Sequence, residues 1–431
     1  MTRWVDGRFT RFSGLRLRWT QLLCGAVLTV GMLGFWMSSS LADADSATAK
    51  KSAAKAKQKA APAKAKKAKL QMGRAARHRA ILRGLDWMDI YIQKHWNSLK
   101  HNAALALAEM MSANDPVIQK RVLAISKHLV PRLKAYFLSE DGIEDNDDLF
   151  DAIEFLSYAK VLRFKPEPLL SHVKKWLKKY SDPEKLFGHQ LKDLSKLNDD
   201  QIYELLVNTY LLERTAITFN DKAFLQKFRM FDIMKYIRTW KYLDLAKDKD
   251  PDKVKSDMDA YLATHVAYAL NNYGHLFLKA SDIPLVEPYM RRNFRTVMKM
   301  KDVELIAEFV DVWRSMGLNE ANDAMVKEGT KFLLLAQKKD GSWGDWEKHK
   351  IPYDAFHYSW TVVLGLRDRT YKKNTKFDIL RTKMIRRLNK LDAERAAKKK
   401  AAKKKATKKA AANTKAIVKK AAPTARPAPR K

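Results

Sequence analysis

A chain of 431 residues with 84 Lys and Arg against 48 Asp and Glu carries a formal net charge of +36, which points to anionic partners. Its single cysteine excludes an intrachain disulfide framework and any multi-cysteine zinc centre. With 11 Trp, 15 Tyr and 18 Phe, it has ample volume for a large buried core.

At the N-terminus, Arg3, Arg8, Arg11, Arg16 and Arg18 precede the apolar run Leu22 to Met37, followed by Leu41-Ala42-Asp43-Ala44. A basic start, an apolar stretch and an Ala-x-Ala site describe an export signal over residues 1–44. Without cleavage, the same segment would serve as a membrane anchor with the rest of the chain on the non-cytoplasmic side. The expected location is therefore exported: periplasm, cell envelope or extracellular. Cys24 lies inside this segment, so a cleaved chain holds no thiol.

Charge then divides the chain. Residues 50–79 balance to +12 and residues 393–431 to +14, while residues 80–392 retain only +8. Lys/Ala-rich residues 45–79 and Lys/Ala/Pro-rich residues 393–431 have almost nothing large to bury. They are expected to be disordered tails, apart from a helical extension near Lys390 to Lys405. Between them, residues 80–392 make one domain.

Within that domain, acids able to open helices recur at Asp148, Asp200, Asp252, Asp302 and Asp354, in steps of 52, 52, 50 and 52 residues. One further step back arrives at Trp96-Asn97-Ser98. Such residues accept hydrogen bonds from the free N–H groups of a first helical turn. Behind them stand apolar runs: Ala103 to Met110, Leu149 to Leu162, Ile202 to Leu212, Met258 to Asn272, Val303 to Met316 and Ala355 to Leu366. Amphipathic runs lie between, at Leu169 to Tyr180, Phe224 to Tyr242, Pro288 to Met300 and Ala321 to Gln337. Strand signals are scarce, so the fold class is all-α, built from about six helix pairs.

Two clusters carry potential chemistry. His265, Tyr268 and Asn272 share one helical face, followed by Tyr273 and His275, and His357 lies one turn after Asp354. Both sets sit on candidate inner helices. The bland reading of the histidines is polar, hydrogen-bonded positions in an aromatic core. Phosphate loops, Gly-x-Ser-x-Gly elbows, Cys-x-x-Cys pairs and closely spaced metal ligands are missing from the sequence, and no cofactor is expected.

Near the end of the domain, a helix closes at Gln337 and runs into Asp340-Gly341-Ser342-Trp343-Gly344, with Trp346 just beyond and a second apolar helix after it. The stretch resembles the Gln-Trp repeat of the terpenoid-cyclase and protein-prenyltransferase superfamily. That resemblance implies an α/α toroid, with Trp343 and Trp346 either clamping successive helices or stacking on a ligand. It also sets limits, since prenyltransferases need a cysteine zinc ligand that this chain lacks. In the class II cyclase branch, Asp145-Asn146-Asp147-Asp148 would match Asp-x-Asp-Asp, with Asp147 as the proton donor, although Leu149 replaces the usual threonine.

On a toroid, the expected function is binding or scaffolding at an anionic surface or polymer through the tails, nucleic acid being contacted only non-specifically. A polysaccharide-lyase-like enzyme on an acidic glycan is the first alternative. It would use His265, Tyr268 and His357, with Arg291, Arg292 or Arg295 holding the substrate carboxylate. A cyclase-like enzyme using Asp147 is the second. The sequence leaves open whether the chain is an enzyme.

Overall fold

The computed structural model describes residues 73–247, 254–344 and 351–421. The leader, linker residues 45–72, Asp252, Trp346 and the last ten residues of the chain lie outside the described residues. Among those described, the chain is helical and contains no strand beyond an isolated bridge between Ala113 and Arg369. No described helix is long and apolar enough to cross a membrane.

The helices follow the repeat expected from the sequence. After α1 (73–94) come α2 (Trp96–Met110), α3 (Pro116–Leu138), α4 (Asn146–Ser157), the short α5 (Ala159–Leu162), α6 (Leu169–Leu177) and α7 (Pro183–Phe187). The second half holds α8 (Asp199–Phe219), α9 (Met230–Ile237), α10 (Val254–Asn271), α11 (Val286–Met300), α12 (Val303–Ser315), α13 (Ala324–Leu335), α14 (Pro352–Leu366) and α15 (Lys376–Ala421).

Burial sorts them into two sets. On α12 every residue from Glu304 to Ser315 is buried, and on α4 every residue from Leu149 to Ser157. By contrast, α11 buries only Val286, Tyr289, Met290, Asn293, Phe294 and Val297, a stripe at three- and four-residue spacing. A helix covered on all sides is interior, and one with a single apolar stripe is peripheral. Neighbour relations agree: α2 packs on α4, α4 on α8, α8 on α10, α10 on α12, α12 on α14, and α14 returns to α2. The peripheral helices lie against this series, with α3 on α2, α6 on α4, α9 on α8, α11 on α10 and α12, and α13 on α12 and α14.

Some helix starts rest on side-chain caps, though not always the acids of the 52-residue spacing, while α2, α6, α11 and α14 have none. Asp302 does cap α12, accepting from Glu304 N and Leu305 N. The caps of α4 and α8 are Asp145 and Asn198, with Asp148 and Asp200 inside the first turn, where the helix dipole still favours them. Pro352 opens α14 and places Asp354 in its first turn.

The Gln337–Gly344 turn is a clamp. Gln337 Nε2 donates to Ala80 O at 2.8 Å and Gly341 O at 2.9 Å, and Trp343 Nε1 donates to Leu333 O at 2.7 Å. Gly341 has φ +100°, and a Cβ there would stand 2.5 Å from Arg83 O, so only glycine lets α1 approach this closely. Trp343 is fully buried and offers no face to a ligand, which corrects the stacking alternative for Trp343, while Trp346 lies outside the described residues.

Both domain boundaries move outward. Residues 73–79, assigned to the linker by composition, are helical, and the buried Arg77 pairs with Glu320 at 2.5 Å and Asp368 at 2.6 Å. At the other end, α15 packs on α8 and α9 and buries Phe377, Ile385 and Leu388. It then continues to Ala421, well past the helical extension expected to end near Lys405. Thus 393–421 is helical rather than irregular, because alanine and lysine both favour helix.

The closest inner contact is between α12 and α14, where a Cβ on Gly365 would fall 2.7 Å from Ala307 O. Gly365→Ala is expected to destabilise the domain by about 1–3 kcal/mol through overpacking. Urea unfolding measures this, and an unchanged midpoint would refute the close approach.

Candidate functional site

Three consecutive inner helices converge their polar side chains. Helix α10 contributes Tyr261, Thr264 and His265 at i, i+3 and i+4, and α12, packed between α10 and α14, presents Glu304 and Glu308 at i and i+4. From α14 comes His357. Glu304 Oε1 accepts from Tyr261 OH at 2.6 Å and lies 2.9 Å from His357 Nδ1, while Glu308 Oε2 accepts from Thr264 OH at 2.6 Å. The two glutamates are almost wholly buried, while His265 and His357 retain partial exposure, so the cluster reaches solvent through its two histidines.

The electrostatics differ from group to group. Burial, followed by repulsion from Glu304, holds the Glu308 carboxyl well above the usual carboxylate range. His265 Nδ1 lies 2.9 Å from Tyr261 O, a contact that requires the proton on Nδ1 and leaves Nε2 as the bare nitrogen. Burial lowers the His265 pKa to about 4, so the ring is neutral at pH 7. Aromatic edges from Tyr203 at 4.7 Å and Tyr268 at 5.3 Å enclose it, and His357 stacks on Tyr353 at 5.1 Å.

This set places a carboxyl whose pKa burial raises beside another carboxyl hydrogen-bonded by Tyr261 and His357, which suits proton transfer. Glu304, Glu308 and His357 also each offer one ligand atom, all within 4.8 Å of one another, a spacing that could hold a divalent metal ion. Two clefts, of about 420 Å³ beside Arg74, His78 and Asp368 and about 310 Å³ beside His172 and Trp176, lie elsewhere.

The residues singled out from sequence distribute unevenly. His265, Tyr268 and His357 do come together. Asp354 is buried in the first turn of α14, within electrostatic reach of Tyr91 on α1. Asn272, Tyr273 and His275 form the turn at the opposite end of α10, where Asn272 Oδ1 accepts from Tyr210 OH at 2.9 Å. Asp147 is exposed at the start of α4, without the dry surroundings that would keep an acid protonated.

Nor do the arginines reach the cluster. Arg291 lies on peripheral α11 and binds Glu287 at 2.8 Å and Asp323 at 2.7 Å, Arg295 pairs with Glu328, and Arg292 pairs with Asp244 at 3.2 Å. Sequence reasoning missed Tyr261, Thr264, Glu304 and Glu308. The available signal was the stripe of acids at 304, 308 and 311 along an otherwise apolar helix.

Comparison with protein-family models, with curated proteins and with solved structures found no match.

Further along α12 and α14 the interior stays polar. Glu109 of α2 accepts from Trp360 Nε1 at 2.7 Å, and burial, only partly opposed by Arg367, raises its pKa to about 8. Between pH 4.5 and 8 the folded chain therefore keeps a proton that the unfolded chain releases, so this group makes stability fall as pH rises through that window. His265 acts in the opposite direction below pH 6.5, where the unfolded chain gains a proton that the folded one refuses. Glu109→Gln is expected to reduce the decline above pH 6.5 by up to about 1.4 kcal/mol per pH unit, the share of one proton. Urea titrations at several pH values test it, and parallel pH profiles for variant and parent would count against a protonated Glu109.

Proposed function

We propose that the chain is an exported α/α-toroid protein that holds itself on an anionic polymer or membrane surface through its Lys-rich arms. The toroid reading is supported by the six inner helices, each neighbouring the next with α14 returning to α2, and by the Gln337–Trp343 clamp. The surface-binding reading is carried by α15. Its first part is anchored through Arg238 to Asp392 at 2.9 Å and Arg395 to Lys235 O at 3.4 Å. Beyond Arg395, residues 396–408 are all exposed, with Lys398, Lys399, Lys400, Lys403, Lys404, Lys405 and Lys408 distributed around the helix.

Positive charge on every side of a helix repels itself, and a polyanion relieves that repulsion by releasing its own counterions. The geometry suits a phosphate- or sulfate-bearing surface of any sequence, since the helix carries no aromatic side chain after Phe377 to read bases. Two basic segments flanking one domain raise avidity without any specific contact.

A second reading, an enzyme acting at the open side of the α10–α12–α14 cluster, is favoured by the convergence of His265, His357, Glu304 and Glu308. The acidic lining suits a neutral or cationic substrate better than an acidic glycan. A lyase would need an arginine there for the substrate carboxylate, and Arg291, Arg292 and Arg295 are engaged on α11 instead.

Retention on immobilised heparin and on vesicles containing phosphatidylglycerol tests the surface reading. Retention is expected to fall steeply with salt, and to vanish when residues 45–72 and 396–431 are deleted while Arg77 and Arg395 are kept. Equal retention of the truncated chain would overturn it.

A further inference from the structure

At the far end of α10 lies a second polar centre with a different composition. Residues Asn271-Asn272-Tyr273-Gly274-His275 turn sharply, with φ of +54°, +50° and +88° at Asn272, Tyr273 and Gly274. Asn271, Tyr273 and His275 are nevertheless buried. Across from them runs the segment after α14, held by Lys372 N to His275 O at 2.8 Å, Thr370 N to Ser112 O at 3.0 Å and Asn114 N to Asp368 O at 2.7 Å. Its extended course puts Arg367 and Arg369 on one side. A Cβ on Gly274 would collide with Arg367 Nη2 and lie 3.1 Å from Arg369 Nη1, so both guanidiniums abut the turn.

Donors outnumber acceptors here. Asp311 takes Arg367 Nη1 at 2.9 Å on one oxygen and Arg369 Nη2 on the other, and Ser112 Oγ takes Arg367 Nε at 2.9 Å. Asn271 Oδ1 is occupied by Gly274 N at 2.7 Å. Without a partner are Asn271 Nδ2, both ring nitrogens of His275, of which a neutral ring offers one as donor, and Arg369 Nε and Nη1, on side chains that are more than nine-tenths buried. Orphan donors in a protein interior each carry a desolvation penalty, and a cluster of them calls for an acceptor.

Charge is unbalanced in the same sense. Arg214, which donates to Tyr210 OH at 2.5 Å and lies 4.1 Å over the Tyr158 ring, adds a third buried guanidinium. Burial and then Arg214, Lys372, Arg367 and Arg369 hold His275 well below its ordinary range, so this ring is neutral and ringed by cations. Three carboxyls face the region: Asp311, Glu109 and Glu154. Asp311 is saturated by its two arginines, and Glu109 is held protonated at neutral pH, so even with Glu154 charged the three guanidiniums outnumber the carboxylates.

We propose that this centre binds one small tetrahedral oxoanion, of the phosphate or sulfate type, between the Asn271–His275 turn and the Arg214, Arg367 and Arg369 guanidiniums. Planar guanidinium forks match pairs of oxoanion oxygens, and a tetrahedral anion reaches donors that arrive from the turn and from the facing segment together. An ordered water would satisfy a donor or two and leave the excess charge in place. The site is independent of the Lys-rich arms and of the Glu304–Glu308–His357 cluster.

The test uses the full chain at about 0.5 M NaCl, where the arms are screened and a buried site is not. Inorganic phosphate and sulfate are titrated at constant ionic strength, with chloride as the balancing salt, and the thermal midpoint is followed. In parallel, dialysed protein is denatured and the released anions are measured by ion chromatography. A saturable rise in midpoint specific to the oxoanions, or one oxoanion released per chain, is the expected result.

Asn271→Asp keeps the oxygen that accepts from Gly274 N and replaces the orphan donor with a negative charge. It is expected to weaken phosphate binding at least tenfold, and His275→Gln, which leaves the net charge unaltered, provides a second variant should the first not fold. Neither a midpoint rise nor a released oxoanion, or an undiminished rise in a folded variant, would overturn the proposal.

Discussion

Near-complete burial of α4, α12 and α14 governs the polar chemistry of the interior. These helices expose almost no side, so every polar residue they carry must find its partner inside the domain or lose a hydrogen bond to water without compensation. On α12 the consequence is visible along a single stripe. Glu304 is met by Tyr261 and His357, Glu308 by Thr264, and Asp311 by Arg367 and Arg369. Changing any one partner would strand another in a low-dielectric interior, which makes the stripe a coupled system rather than three separate pairs.

The stripe is also graded. Toward the start of α12 two carboxyls face a histidine that still reaches solvent, and toward its end one carboxylate faces two arginines that do not. The first arrangement favours proton transfer or cation binding, and the second favours anions. A single helix thus separates two chemistries by about two turns, with Tyr268, Trp360 and the protonated Glu109 between them. Such spacing keeps opposite fields from cancelling each other, since interior charges are weakly screened.

Outside this interior, charge follows another logic. The peripheral helices spend their arginines on neighbouring acids, as Arg291 does in part-buried pairs with Glu287 and Asp323. The surplus cations are concentrated on α15 past Arg395, where nothing in the domain neutralises them. That division joins a domain of modest net charge to a strongly cationic helix.

What the sequence by itself determined was periodic and local. Apolar runs every fifty-odd residues, acids ahead of them and few strand signals were enough for the helical class and for the place of each inner helix, although α2 starts seven residues earlier and α8 ends seven later than the runs did. Asp302 and the turn from Gln337 to Trp343 were legible for the same reason, being local, whereas the bond from Gln337 to Ala80 O that fastens the turn to α1 was not. Cap identity at α4 and α8, the helical state of 393–421, and the inclusion of Arg77 in the domain were not, since composition cannot distinguish a solvated lysine-alanine run from a helix, or an exposed arginine from a buried one. Only the tertiary structure decided which polar residues meet. Glu304 and His357 lie 53 positions apart, Asp311 and Arg367 56, and their encounter depends on how α12 and α14 pack, a property of three-dimensional register that no local spacing encodes.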